Sequence, residues 1–247
     1  MSDPLLVWGA GAMGGTIGAG LVRAGHEVRF VDRDGDHVAA MRTVGLEITG
    51  PVAAYTVAAD AVRHDELDGT YERVLLCVKA HETEAALDDL TPFLADDGFV
   101  VSVQNGLCEP LIAARVGSRR TLGAFVNFGA DRLAPGVVHW GGRGTVAVGE
   151  IDGRTRERLR DLLVVLQDFE PDAIRTGNIF GFLWSKLAYA ALLFATALTD
   201  DPIADVLDAP DHRPTLIGLA REVCRVAAAK GIRLEAFDGF DPADFGP

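Results

Sequence analysis

The sequence predicts an α/β protein, a doubly wound parallel sheet followed by an all-helical C-terminal part. Three observations carry that prediction. In the first half, short apolar runs such as LLVWG (5–9), RVLLCVK (73–79) and FVVSVQN (99–105) alternate with amphipathic stretches. Strands that are apolar on both faces belong to parallel sheets covered by helices on each side. A glycine-rich turn, GAGAMGG, directly follows the first run, and after Asn178 the strand-like signal stops in favour of helical patterning.

Each element follows from its local pattern. LLVWG leads into a helix over 12–24, and HEVRFVD (26–32) into a second helix around 37–42. GLEITG (45–50) and AAYTVAAD (53–60) read as a short hairpin or crossover. RVLLCVK precedes helical ETEAALDDL (82–90), and FVVSVQN precedes a helix around 110–115. Between 121 and 150, TLGAFVNFGA, GVVHWG and TVAVGE are strand-like pieces set apart by Gly and Pro, as in further, partly antiparallel strands. A polar helix (155–169) and the short strand DAIRT (172–176) complete a first domain, 1–177. The second domain, 178–247, carries helices over WSKLAYAALLFATAL (184–198) and PTLIGLAREVCRVAAAKG (214–231), the latter stopped by Gly231. Its tail, EAFDGFDPADFGP, has turn chemistry without periodicity and reads as a connection that leads nowhere.

Composition narrows the function classes. The chain is 49% apolar, with a mean hydropathy of +0.18, which supports a large core and argues against disorder. Its 23 basic and 36 acidic residues leave a net charge of −13, which disfavours nucleic acid and anionic membrane as partners. Cys77, Cys108 and Cys224 have neither paired nor metal-like spacing; they fit small core residues in a reducing cytoplasm. No signal peptide is expected, because the N-terminus runs straight into a strand. The apolar run Leu187 to Leu198 is too short to span a bilayer and reads as a buried helix, so the expectation is a cytoplasmic protein. The six histidines are scattered without ligand spacing, so no metal site is expected, and no nucleophile-elbow motif suggests a serine hydrolase.

The glycine turn carries the first chemistry. Gly9, Gly11 and Gly14 form GxGxxG between a strand and a helix, with Asp32 ending the second strand. Gly9 permits the tight turn, Gly11 admits a pyrophosphate close to the backbone, and Gly14 lets helix and strand pack. With Ala10, Ala12 and Met13 they make the predicted cofactor loop, where unpaired N–H groups at the helix start attract phosphate. Asp32 favours a free ribose 2′-OH, hence NAD; Arg33 beside it suits a 2′-phosphate, hence NADP. Lys79 and Asn105 fall at the carboxyl ends of two further strands, where ligands of such sheets lie. Taken singly, Lys79 is a solvated lysine and Asn105-Gly106 a turn pair. Lys186 interrupts an apolar helix whose face carries Phe182, Ala190 and Leu193. It is either a snorkelling lysine or a cationic proton donor in a cleft, stabilising the oxygen of a ketone during hydride transfer.

GAGAMGG, VKAHET with Lys79, VQNGL with Asn105 and NIFGFLWSKLA with Lys186 together resemble the ketopantoate reductase (2-dehydropantoate 2-reductase) family along nearly the whole chain. The resemblance implies a Rossmann domain, a helical second domain and NADPH-dependent reduction of a 2-oxo acid to a 2-hydroxy acid. It implies Lys186 as general acid, Asn105 near nicotinamide and substrate, Lys79 on the cofactor side and Arg33 at the 2′-phosphate. By a looser alignment it places Ala130 near the cofactor. NADP is therefore the expected cofactor, with NAD admitted by Asp32.

Two departures from the family pattern modify this expectation. No asparagine follows Asn178, so the pocket is expected to be more apolar than ketopantoate requires. The sequence ends at Pro247, before a segment that bears a substrate-binding serine and glutamate in the family, so the helical domain is expected to be incomplete. An apolar helical face left uncovered would favour a homodimer. Alternatives are a cofactor-binding protein without turnover and a 3-hydroxy acid dehydrogenase, the latter weakened by KLAYA where that class carries an asparagine.

Overall fold

The computed structural model describes residues 4–246. It divides into two compact units, one up to Gly177 and one from Asn178. The first unit begins with β1 (Leu5–Trp8), α1 (Ala12–Arg23), β2 (Val28–Asp32), α2 (Gly35–Thr43), β3 (Leu46–Thr49), β4 (Tyr55–Val57), β5 (Asp60–Arg63) and β6 (Tyr71–Leu76). It continues through α3 (Thr83–Leu90), β7 (Leu94–Ser102), α4 (Glu109–Val116), β8 (Thr121–Val126), β9 (Gly129–Ala134) and β10 (Val137–Gly142). β11 (Val146–Glu150), α5 (Glu157–Phe169) and β12 (Ile174–Arg175) complete it.

An eight-stranded sheet runs β12-β11-β8-β7-β6-β1-β2-β5. From β5 to β8 every pairing is parallel, and β11 joins β8 antiparallel. Strands β1, β2 and β5 progress one way from the centre, and β6, β7 and β8 the other. The switch point therefore lies between β1 and β6, where ligands of such sheets collect beyond the strand ends. Alternation along β1 explains its continuous apolar run. Leu5 and Val7 enter a core shared with Ile17 of α1 and Leu162 of α5, while Leu6 and Trp8 enter the opposite core with Leu87 of α3 and Ile112 of α4.

Two features of this unit were not legible. The residues DAVR form β5, parallel to β2 at the sheet edge, where the sequence reading had only a hairpin or crossover ending at Asp60. Its 4 residues are too few for an alternation signal. A second sheet, β4-β3-β10-β9, lies against α1, with β3 pairing parallel to β10 across a separation that no local pattern reveals. Of the strand-like pieces over 121–150, only β8 and β11 therefore extend the main sheet.

The second unit contains α6 (Ile179–Thr196), α7 (Ile203–Asp208) and α8 (Arg213–Ala229), with α6 packed along α8. The described residues of the tail pack back onto the helices. Asp238 and Gly239, with φ of 44° and 82°, turn the chain between Phe237 and Phe240, the two-residue hairpin geometry favoured by Asp-Gly. The ring centroid of Phe240 lies 5.4 Å from those of Tyr189, Phe237 and Phe245, and Arg221 donates to the Phe245 carbonyl (2.8 Å). An aromatic cluster, which has no helical or strand period, thus fastens the tail to α6. α6 is apolar on both sides of Lys186, and over its 18 residues the mean hydropathy is 1.5, so length and composition alone would let it cross a bilayer; 39% of it is buried in the structure. Phe194 near its end is 76% exposed.

Candidate functional site

A cavity of about 750 Å³ opens beyond the C-terminal ends of β1, β2, β6 and β7, lined by residues of the first unit. Its floor is the turn between β1 and α1. Gly9 adopts φ +96°, and a Cβ there would sit 2.9 Å from Val78 N. The N–H groups of Gly9 and Ala10 both donate to the Val31 carbonyl, tying the turn to β2. At Gly14 a Cβ would lie 2.1 Å from the Gly9 carbonyl oxygen, so helix and turn touch backbone to backbone. Gly11, the N-cap of α1, is different: a Cβ there meets nothing within 4 Å and would project into open space. No side chain caps α1 at this end. Its first N–H groups and dipole are therefore available to an anion brought close to the backbone, which is what a dinucleotide pyrophosphate requires.

Gly9, Gly11, Ala12, Met13, Asp32, Arg33, Lys79, Asn105 and Ala130 all line this cavity. Ala10 and Gly14 are buried beneath it. Asp32 accepts from the Asp34 N–H (3.0 Å), which orients its carboxylate at the end of β2. Arg33 is exposed and its Nη1 donates to Glu82 Oε2 at 2.7 Å. Lys79 precedes the short turn Ala80–Glu82 and makes no ion pair among the described residues. Asn105 is exposed on the turn after β7, with Gly106 at φ +100°. Among the described residues no three His, Cys, Asp or Glu side chains gather as a metal would need. Cys77 at the cavity wall is held inert, its thiol pushed up to about 12 by burial.

Several residues that support this cavity carried no motif signal. His37, fully buried on α2, lies 2.9 Å through Nε2 from the Ala10 carbonyl, and its Nδ1 accepts from the Gly136 N–H (2.9 Å). The ring proton therefore sits on Nε2, and the histidine clamps the glycine turn to the second sheet. Gln104, next to Asn105, donates to the Val78 carbonyl (2.9 Å) and to Thr83 Oγ1 (2.8 Å), joining the ends of β6 and β7 to α3. Below that turn Glu109 is fully buried, and neither carboxyl oxygen makes a well-formed hydrogen bond. Burial raises its pKa to about 7, partly offset by its own backbone N–H and by Ser102. Such groups are found by folding, not by spacing.

Lys186 belongs to the second unit. It is half-buried on α6, flanked by buried Phe182 and Ser185. Ser185 Oγ donates to the Gly181 carbonyl (2.8 Å) and accepts from the Glu235 N–H (3.0 Å), which fixes this helix turn to the tail. Burial lowers the Lys186 pKa to about 8, opposed by the carboxylate of Asp238 on the Asp-Gly turn. The tail thus brings to the lysine a countercharge that its lack of periodicity had hidden.

The model of the ketopantoate reductase PanE/ApbA family matches residues 5–153, more than half of the chain. Among curated relatives, the 2-dehydropantoate 2-reductase of Archaeoglobus fulgidus is 30% identical over 231 residues, 93% of this chain and 76% of that protein. The crystal structure of 2-dehydropantoate 2-reductase from Geobacter metallireducens GS-15 superposes with a TM-score of 0.83 at 26% identity, covering 98% of this chain and 81% of its own. At 21% identity, D-mandelate dehydrogenase in complex with NADH and anilino(oxo)acetate shares the fold, with a TM-score of 0.82 and coverage of 98% and 77%. By its glycine turn, its parallel sheet and these matches, the chain belongs to the ketopantoate reductase family of oxidoreductases.

Proposed function

We propose that this protein reduces a 2-oxo acid to the 2-hydroxy acid, using a nicotinamide dinucleotide bound in the cavity of the first unit. The observation that carries the reading is Gly11, whose missing side chain no protein atom demands, at a helix start that opens into a cavity in a member of this family. When bound, the reduced nicotinamide supplies the hydride that goes to the carbonyl carbon. The turn Gly9–Gly14 and the start of α1 hold the pyrophosphate. Arg33 clamps a 2′-phosphate, which makes NADP the proposed cofactor; Asp32 would bond the free ribose hydroxyl of NAD instead. Lys79 serves the cofactor side, and Asn105 orients nicotinamide and substrate.

Lys186 acts as the general acid, donating a proton to the carbonyl oxygen as negative charge develops there. With a pKa near 8 the ammonium is largely protonated at neutral pH, yet releases its proton more readily than an ordinary lysine. The substrate is 2-dehydropantoate, as the names of the relatives suggest, or a related and more apolar 2-oxo acid, because the helix after Lys186, LAYAALLFATAL, carries no amide side chain. The test is NADPH consumption by the purified chain with 2-dehydropantoate and a panel of 2-oxo acids, with the product identified by mass. Dinucleotide binding without turnover of any 2-oxo acid would refute the activity and leave a cofactor-binding protein.

A further inference from the structure

We infer that Glu82 sets how strongly this site accepts a 2′-phosphorylated dinucleotide, by occupying the guanidinium that the phosphate would need. The inference rests on the reading of the cavity as a nicotinamide dinucleotide site. Arg33 follows β2 and Glu82 follows β6, and β1 lies between those strands, so the 2.7 Å pair bridges the mouth beyond the glycine turn. Both residues line the cavity. The other carboxyl oxygen of Glu82 contacts His81 Nε2 at 3.2 Å. Arg132, a further cation of the lining, is matched in the same way by Asp34 at 2.8 Å.

A 2′-phosphate that binds Arg33 must first displace Glu82, and then sits beside a carboxylate as well as Asp32. A dinucleotide with a free 2′-hydroxyl meets neither obstacle, because Asp32 accepts its hydrogen bond and the Arg33–Glu82 bridge stays closed. Glu82 is therefore a specificity residue, weighing against the phosphate without touching the reacting atoms. Exposed ion pairs are individually weak, so the bias is modest, about fivefold or ~1 kcal/mol at most.

The experiment is calorimetric titration of NADPH and NADH into the full chain and into Glu82→Gln, which keeps the side-chain shape and removes the charge. The expected result is a Kd for NADPH up to about fivefold lower in the variant, with NADH changed less than about twofold. Adding Arg33→Ala to Glu82→Gln is expected to abolish the gain. An unchanged NADPH affinity, an equal gain for both dinucleotides, or a gain that survives the loss of Arg33 would overturn the inference while leaving the dinucleotide site intact. If neither dinucleotide binds the unaltered chain, the reading of the cavity falls, and the inference with it.

Discussion

Glu109 offers a direct measurement of an energy stored beneath the candidate site. It is the first residue of α4, fully buried, with both carboxyl oxygens lacking a well-formed partner. Its folded-state pKa of about 7 lies above the ordinary 4.5, chiefly because burial penalises the anion. Between those values the unfolded chain releases the proton and the folded chain keeps it. Stability contributed by the protonated acid is thus present at low pH and falls as pH rises through the window, and above about 7 the folded state must hold an unpaired buried carboxylate. The difference between 4.5 and about 7 corresponds to roughly 3 kcal/mol.

Glu109→Gln keeps the shape and hydrogen-bonding character of the protonated acid and removes the titration. Urea unfolding at about pH 4 and about pH 8 should give near-equal stabilities at the lower value. At the higher one the variant should be more stable than the natural chain by up to roughly 3 kcal/mol. Comparing the chains at each pH cancels every other titrating group. Two stability profiles that run parallel across this range would refute the reasoning, because Glu109 would then have found a partner or solvent in the folded state.

Other expectations follow from the same geometry. Lys186→Ala should lower turnover by about 10²- to 10⁴-fold while leaving dinucleotide affinity within about twofold, and a variant with normal turnover would remove the lysine from the mechanism. In the natural chain the rate should decline as pH rises through about 8, where the ammonium loses its proton, a loss to be sought in the profile of kcat. Gly11→Val should unfold at nearly the natural temperature yet bind dinucleotide poorly by titration. Gly14→Ala, with its Cβ 2.1 Å from a backbone oxygen, should lose several kcal/mol of stability in chemical denaturation.

Much of the first unit was legible because its determinants are local. The LLVWG run, the GxGxxG spacing and the Asp32 terminus each encode one βα step, and steps of this kind build parallel sheets. What stayed hidden was long-range or aperiodic. β3 meets β10 about half a domain later in the chain, and His37 bonds Ala10 and Gly136 from a helix that, in sequence, shows one more scattered histidine. The packing of the tail was not legible, because Phe237, Phe240 and Phe245 cluster around Tyr189 through a turn and have no repeat. The pairing of Arg33 with Glu82 was invisible for the same reason. A residue's partner, unlike its type, is a property of the fold.

The two fully buried glutamates show why burial alone does not identify a working group. Glu150 at the end of β11 is met by Arg158 Nη2 at 2.6 Å and by Arg156 Nη1 at 3.0 Å, so its charge is matched where it is made and its role is to hold β11 to α5. Glu109 has the same chemistry and burial, but no cation reaches it among the described residues. The glycines divide in the same way. Gly14 is required by a neighbouring backbone oxygen and would be required in any protein with this turn, ligand or none. Gly11 is crowded by nothing in the chain, so no packing contact excludes a side chain there. The proposed dinucleotide site does not conflict with a net charge of −13, because the groups offered to the pyrophosphate are backbone N–H dipoles that act within one helical turn.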